Sequence, residues 1–164
     1  MATAQFYDVF EALRTTIRDN FATEKSRMSL TVDAPASTSY TIITPGYSRE
    51  RHSAYPWVFV VPFPDGGGTP AEYQTTKPRV QYSLPVAIEV VFRGKTGVEI
   101  DHIKDILAYA QIIDAALVNN MTLGRSDTLA IEPQDIHPVL YDDASGALWG
   151  VVFRCTLEVQ VDYA

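Results

Sequence analysis

The residues with the greatest capacity for chemistry are a Gly94-Lys95-Thr96 tripeptide, three histidines and one cysteine. The tripeptide lies where a phosphate-binding loop would join a strand to a helix. The full motif requires a glycine five residues before Gly94, but that position is Glu89, whose carboxylate would repel phosphate. The sequence therefore predicts no nucleotide site here.

The other reactive residue types also lack partners at catalytic or metal-binding spacing. His52, His102 and His137 have no second histidine or cysteine at ligand spacing. The position of His102 beside Asp101 is typical of an exposed helix face. Cys155 alternates with apolar residues of the last strand, which favours a core thiol over a nucleophile. We therefore predict no catalytic residue, no cofactor and no metal.

Acidic residues are concentrated in the C-terminal part of the chain. The formal net charge is −7, and positions 127–164 hold seven acids against one base, Arg154. An acidic surface repels phosphates, so sequence-specific binding of nucleic acid is not expected. A solvated acidic face that serves only solubility is the other interpretation.

Length and composition predict one domain spanning residues 1–164. The chain is 46% hydrophobic and 20% charged, which is enough apolar material for one core. The single cysteine excludes an intramolecular disulfide and fits assembly inside a cell. No segment approaches the run of about 20 apolar residues that a membrane span needs, and the N-terminus lacks the pattern of an export signal. We expect neither export nor a membrane partner.

Two segments have the apolar periodicity of amphipathic helices. In the first, apolar residues recur every three or four positions from Gln5 to Phe21. The second begins with a capping box of Thr96 and Glu99 and extends to Asn119. Its predicted buried stripe consists of Ile100, Ile103, Leu107, Ala110, Ile113 and Leu117.

Apolar runs in the first half of the chain predict strands. Short strands are expected at 28–33 and 40–43. The continuous run at 57–61 predicts a strand that is buried on both faces or lies at an assembly contact. Strict alternation over 79–93 predicts a long strand with one buried face, either bulged at Pro85 or at a sheet edge.

Further strands are predicted at 129–132, 136–141 and 150–163, the last two as a hairpin. Long hairpins with one apolar face need cover, and the two helices can supply it. The predicted fold class is α+β, a mostly antiparallel sheet with two amphipathic helices packed on one face.

The segment 63–78 interrupts these elements. It contains three consecutive glycines and several prolines, which are typical of a flexible loop. We predict no regular element in it, and long loops of this kind are usually functional or become ordered on a partner.

This order of elements resembles the tail-terminator and tail-completion proteins of long-tailed bacteriophages. The likeness is carried by the helix at 5–21, the strand at 80–93, the helix at 99–119 and the terminal strand at 150–163. It implies a virion neck protein, assembled in the host cytoplasm, whose subunits form a six-membered ring. Such a ring caps the tail tube, stops its polymerisation and joins it to the head-side connector or stopper protein. DNA would pass through the ring without sequence-specific binding.

The resemblance gives two groups of residues an expected role. An acidic channel would keep DNA from sticking to the ring, and the lumen candidates are Asp142, Asp143, Glu158 and Asp162. The candidates for contact with a neighbouring subunit or the tube are Trp57, Phe59, Phe63, Asp65 and Tyr73.

Two alternatives remain open at this point. Another head-completion, neck or tail-tube subunit would use similar strands and loops between subunits. A monomeric or dimeric domain that binds a small molecule or a peptide belongs to a different class and would need a pocket with convergent polar groups. Ring formation by the purified chain separates the first interpretation from this binding domain and from an enzyme.

Overall fold

The computed structural model describes residues 5–47, 49, 54–65, 71–73, 79–94, 99–141 and 148–163. Two helices and six strands follow one another along these residues. In chain order they are α1 (Gln5–Arg27), β1 (Tyr40–Ile42), β2 (Trp57–Pro62), β3 (Ala71–Tyr73), β4 (Arg79–Arg93), α2 (Glu99–Val118), β5 (Thr128–Tyr141) and β6 (Leu148–Asp162).

The strands form one sheet in the order β1-β2-β4-β6-β5, with β3 also paired to β4. Only β1 and β2 run parallel among the described strands, and every other pairing is antiparallel. Both helices contribute to one hydrophobic cluster with the same face of the sheet. The predicted α+β class, with its helices on one face, is therefore confirmed.

Helix α1 continues six residues past its predicted end at Phe21, to Arg27. The extra length is stabilised by polar contacts of Glu24, which is nearly buried. The Glu24 carboxylate pairs with Arg27 at 2.6 Å and accepts a hydrogen bond from Asn119 at 2.9 Å. These partners hold the pKa of Glu24 below its ordinary value. The periodicity of apolar residues could not reveal a helix end held by polar groups.

The strand predicted at 28–33 is wrong. After α1 the chain turns at Ser29, which has a left-handed φ of 55°, and no strand forms in this described segment before β1. Only Val32 of this segment is fully buried, where it joins the cluster beneath the helices. The segment is a connecting loop whose sequence alternates apolar and polar residues over a short stretch, as a strand would.

Strand β2 is buried on both faces, which is one of the two predicted environments. Val58 and Val60 join the cluster on the helix side. Phe59 and Val61 join a second cluster on the opposite side of the sheet, together with Val91. The same applies to the second half of β4, so the prediction of one buried face for β4 is wrong from position 86 to 92.

Pro85 lies in β4 at the gap between the part of the strand that pairs with β2 and the part that pairs with β3. The strand is neither bulged at Pro85 nor at the edge of the sheet, so both predicted settings are wrong. Strand β4 pairs with β6 without a register shift through Pro85 and Thr156, so there is no bulge at this position. On its other side β4 pairs with β2 only from Val86 onward and with β3 only up to Tyr82. The Pro85 carbonyl accepts from the Phe63 amide at 2.9 Å, so the proline nitrogen, which cannot donate, points toward this gap.

The prediction that segment 63–78 contains no regular element is wrong at Ala71–Tyr73, which forms β3. Residues 66–70 and 74–78 lie outside the described residues. Strands β2 and β3 run in the same direction beside β4.

The strands predicted at 129–132 and 136–141 are a single element. Strand β5 runs through both, with irregularities between Thr128 and Ala130 and between Pro133 and Asp135. Its hairpin partner is β6, as predicted. Because β5 pairs only with β6 among the described strands, it forms an edge of the sheet.

Candidate assembly surface

Helix α2 carries apolar residues on two sides. The side packed on the sheet contains Ile106, Ile112, Ile113 and Leu117, which are all buried. The predicted buried stripe was therefore wrong for its first three members. Ile100, Ile103 and Leu107 point to solvent, and Leu107 is 61% exposed. Helices that are apolar on two sides are normally covered on both.

The exposed side of α2 is a narrow stripe that continues into the following turn. Its positions are separated by three or four residues, so they lie above one another on the helix surface. From the start of the helix to the turn they are Ile100, Ile103, Leu107, Gln111, Asp114, Val118 and Met121. Five of the seven are large apolar residues, and the two polar ones are in the middle.

Edge strand β5 continues this apolar surface beside the helix. Ile136 and Leu140 are opposite Phe153 and Trp149 of β6, whose side chains belong to the helix-side cluster or pack against it. Ile136 and Leu140 therefore project to the side of the sheet on which α2 lies, and both are exposed. We call the following seven residues the α2–β5 face: Ile100, Ile103, Leu107, Val118, Met121, Ile136 and Leu140.

A groove runs between α2 and β5 within this face. It has a volume of about 590 Å³ and is lined mainly by apolar groups, including Leu107, Ile136 and Phe153. Its polar lining comes from Gln111, Asp114, Gln134 and Asp135. A smaller hollow of about 140 Å³ between Val118, Met121 and Ile131 continues it toward the end of the helix. The groove is open, and Asp114 and Asp135 make its rim acidic.

The predicted contact residues whose side chains the structure describes do not form one surface. Phe59 is fully buried, so its prediction as a surface contact is wrong for this fold. Trp57 is half-buried and stacks on Phe59, with ring centroids 5.8 Å apart. Phe63 packs edge-on against Phe10, with ring centroids 6.1 Å apart. The backbone of Tyr73 belongs to β3, and its side chain lies outside the described residues.

Asp65 is exposed and makes a two-pronged ion pair with Arg154. Both oxygen–nitrogen distances are 3.0 Å. The pair attaches the segment after β2 to β6, so within the subunit Asp65 has a structural partner. Because Asp65 is exposed, it is also accessible to a neighbouring subunit, and its role in such a contact stays a prediction.

Of the lumen candidates, Asp142 and Asp143 lie outside the described residues. Glu158 and Asp162 share one face of β6, the face opposite the helices, where Gln160 lies between them. The Ser83 hydroxyl donates to Glu158 at 2.7 Å, and Arg79 pairs with Asp162 at 3.3 Å. The two carboxylates are thus on a common surface, although a cation accompanies one of them.

A polar cluster on the second face of the sheet was not predicted. The Arg49 guanidinium donates to both oxygens of the nearly buried Glu89, at 2.7 and 3.1 Å. Tyr141 donates to Glu89 at 3.3 Å, and burial, with the Glu89 carboxylate beside it, raises the pKa of Tyr141. A side chain at Gly150 would collide with the Tyr141 ring, which explains the glycine in β6. The only sequence signal for this cluster was Glu89, a single acidic residue within an apolar stretch of β4.

Among the residues first considered for chemistry, Gly94, His102 and Cys155 have structural roles. His102 is buried against Trp149, with ring centroids 5.0 Å apart, so the prediction of an exposed helix face is wrong. A side chain at Gly94 would collide with the His102 imidazole, which accounts for that glycine without a phosphate. Lys95 and Thr96 lie outside the described residues. Cys155 is buried as predicted, and burial raises the pKa of its thiol to about 12.

Searches for metal ligands, for membrane-spanning helices and for related proteins do not point to another functional site in the described residues. Across the part of the chain that the structure describes, no group of three or more histidine, cysteine, aspartate or glutamate residues could hold a metal ion. The described helices include none whose length and apolar content would allow it to cross a membrane. No protein-family model matches the chain, and no curated protein sequence matches it significantly.

Proposed function

We propose that this protein is a structural subunit that works by self-assembly, as a tail terminator of a long-tailed bacteriophage. Its subunits form a ring of six that caps the tail tube, stops tube polymerisation and joins the head-side connector. The observation that carries the proposal is the α2–β5 face. It is an apolar surface beside an edge strand, which is the kind of surface that another protein covers.

The size of this face supports a role in assembly. Its seven side chains are each 42–61% exposed. Together they present roughly 600 Å² of apolar surface, the upper end of the largest patches on ordinary monomers. Specific interfaces bury about 800 Å² on each partner, so the face with its polar rim is large enough for one.

Two carboxylates on the side of the sheet opposite the helices support a DNA channel. Glu158 and Asp162 lie together on the face opposite the helices, where they could border a passage that repels phosphates. The channel residues Asp142 and Asp143 belong to the same proposal. An assembled ring with Glu158 and Asp162 on its outer rim would refute the channel assignment.

One observation favours the alternative of a peptide-binding domain. The groove of about 590 Å³ lies directly beside edge strand β5. An extended peptide can add a strand to such an edge, and an amphipathic helix can enter such a groove. This alternative requires a partner other than tail tubes.

The test is to measure the mass of the purified chain by light scattering, alone and with purified tail tubes, and to image the mixture by electron microscopy. We expect rings at tube ends and no further tube growth. Leu107→Asp should abolish the rings, because a carboxylate buried in an apolar contact is strongly unfavourable.

The matched control is Tyr7→Asp, which places the same charge on an exposed aromatic residue of α1 outside the α2–β5 face. This variant should form rings like the wild type. A wild-type chain that ignores tubes and leaves their growth unchanged would contradict the proposed function.

A further inference from the structure

The exposed stripe of α2 has a mirror-symmetric order of residue types from Ile103 to Met121. Ile103 and Leu107 come before the polar pair Gln111 and Asp114, and Val118 and Met121 come after it, whereas Ile100 has no apolar counterpart. Two such stripes placed antiparallel about the middle would bring Leu107 opposite Val118 and Gln111 opposite Asp114. Apolar groups then meet apolar groups, and each glutamine amide can donate to a carboxylate.

We propose that the α2–β5 face binds the same face of a second copy of this chain, with the two α2 helices antiparallel. The two-fold axis passes between Gln111 and Asp114. Such a contact is isologous, because each subunit contributes the same residues. The described surface favours this partner for three reasons.

The first reason is the distribution of exposed apolar residues. Among the described residues, eleven large hydrophobic side chains are exposed, and eight of these belong to α2, the turn after it or β5. The other three are single tyrosines, Tyr7, Tyr47 and Tyr163. An isologous contact is satisfied by this one patch, because each copy supplies the same residues.

The second reason is shape. The groove between α2 and β5 is lined by Leu107 on one side and Ile136 on the other. In the antiparallel pair each α2 lies along the groove of its partner, so it contacts both the helix and the edge strand. An amphipathic helix in an apolar groove is a common mode of protein recognition.

The third reason is area. The face and its polar rim approach the roughly 800 Å² per partner of a stable interface. A two-fold contact buries this area twice, once on each subunit. It also closes on itself, so it gives a dimer and not a filament.

This inference goes beyond the proposed ring. Two-fold pairing cannot by itself close a head-to-tail ring of six, so the dimer is a form of the free subunit that covers its assembly face. The dimer stands without the ring, whereas its opening at a tube end rests on the proposed function.

The test uses a variant with Leu107→Cys and Val118→Cys in the same chain, oxidised in the absence of tubes. Both positions are exposed, and the native Cys155 is buried, so it should not react. In the antiparallel dimer, position 107 of each copy lies opposite position 118 of the other, so two introduced thiol pairs meet. We expect one covalent dimer with two disulfides and nothing larger.

A head-to-tail contact would place this face against a different surface that carries no introduced thiol, so no covalent dimer would form, and that result would overturn the proposal. So would a wild-type mass of 18.2 kDa, the mass of a single chain, at concentrations where cross-linking is tested. The single variant Leu107→Cys should not cross-link, because an axis between positions 111 and 114 separates the two copies of position 107 by about 16 Å along the helix. Tyr7→Cys serves as the control for random collision.

The proposed dimer and the proposed ring can be contradicted independently. A monomer that nevertheless forms rings on tubes overturns the dimer and leaves the proposed function intact. A dimer that does not bind tubes supports the dimer and contradicts the proposed function.

Discussion

Asp127 connects the beginning of α1 to the beginning of β5. Its carboxylate accepts from Gln5 at 2.8 Å and from two nitrogens of Arg125 at 2.7 Å each. The hydrogen bonds from Arg125 are the main reason that the pKa of Asp127 lies below its ordinary 3.8. The ionised carboxylate therefore stabilises the folded chain above the unfolded-state pKa, and that contribution is lost as the pH falls through the lowered folded-state pKa.

We predict that Asp127→Asn lowers the free energy of unfolding by about 1.5–3 kcal/mol at neutral pH, the usual value for hydrogen bonds to a charged group. The difference from wild type should shrink as the pH falls below about 4, where the aspartate of the unfolded chain takes up a proton while the folded-state carboxylate is still ionised. Urea unfolding at several pH values measures both. Asp19→Asn, at an exposed aspartate paired with Arg18, should have little effect. A difference that persists unchanged in acid would contradict this role.

At the scale of elements, α2 should respond differently to the same kind of truncation on its two sides. Ile112 is fully buried, and Leu107 is exposed. Ile112→Ala should lower the free energy of unfolding by about 2–5 kcal/mol, the cost of a core cavity. Leu107→Ala should cost less than about 1 kcal/mol in dilute protein, as most surface substitutions do.

Urea unfolding of both variants at low protein concentration makes this comparison. Raising the concentration should stabilise the wild type but not Leu107→Ala, because association stabilises only the folded chain. Equal costs at the two positions would mean that Leu107 is covered within the single subunit.

The elements that sequence patterns predicted best are those with one unambiguous periodicity. Strand β4 begins at Arg79 and ends at Arg93 as predicted, since fifteen alternating residues leave little choice of register. Helix α2 was located correctly, but its buried side was not. When a helix is apolar on two sides, spacing cannot distinguish Leu107, which meets solvent, from Ile106, which meets the sheet.

The candidate site was missed for the same reason. It depends on which residues remain uncovered after the helix packs, and this is a tertiary property. Phe59 illustrates the opposite error, since an apolar residue in a continuous run is equally compatible with a core and with a contact surface. Likewise, His102 is a core residue because Gly94 leaves space for its ring, and the two are eight residues apart in sequence.

At the scale of the whole molecule, two copies that associate must overcome repulsion between their charges. Each chain has a formal net charge of −7, and Asp114 and Asp135 lie at the rim of the groove. Salt shortens the range of this repulsion, to about 10 Å at 0.1 M ionic strength. An apolar contact is not itself weakened by moderate salt, whereas a contact made by ion pairs would be.

We therefore predict that the dimer becomes tighter as sodium chloride is raised, by a few-fold between about 0.02 and 0.3 M, where screening changes most. Sedimentation equilibrium at each salt concentration measures the dissociation constant. Asp135→Asn should flatten the dependence by removing one repelling charge from each rim, and Asp19→Asn on α1 should leave it unchanged. A dissociation constant that rises with salt would show that ion pairs hold the copies together, and the apolar stripe of α2 would then not be the surface on which they meet.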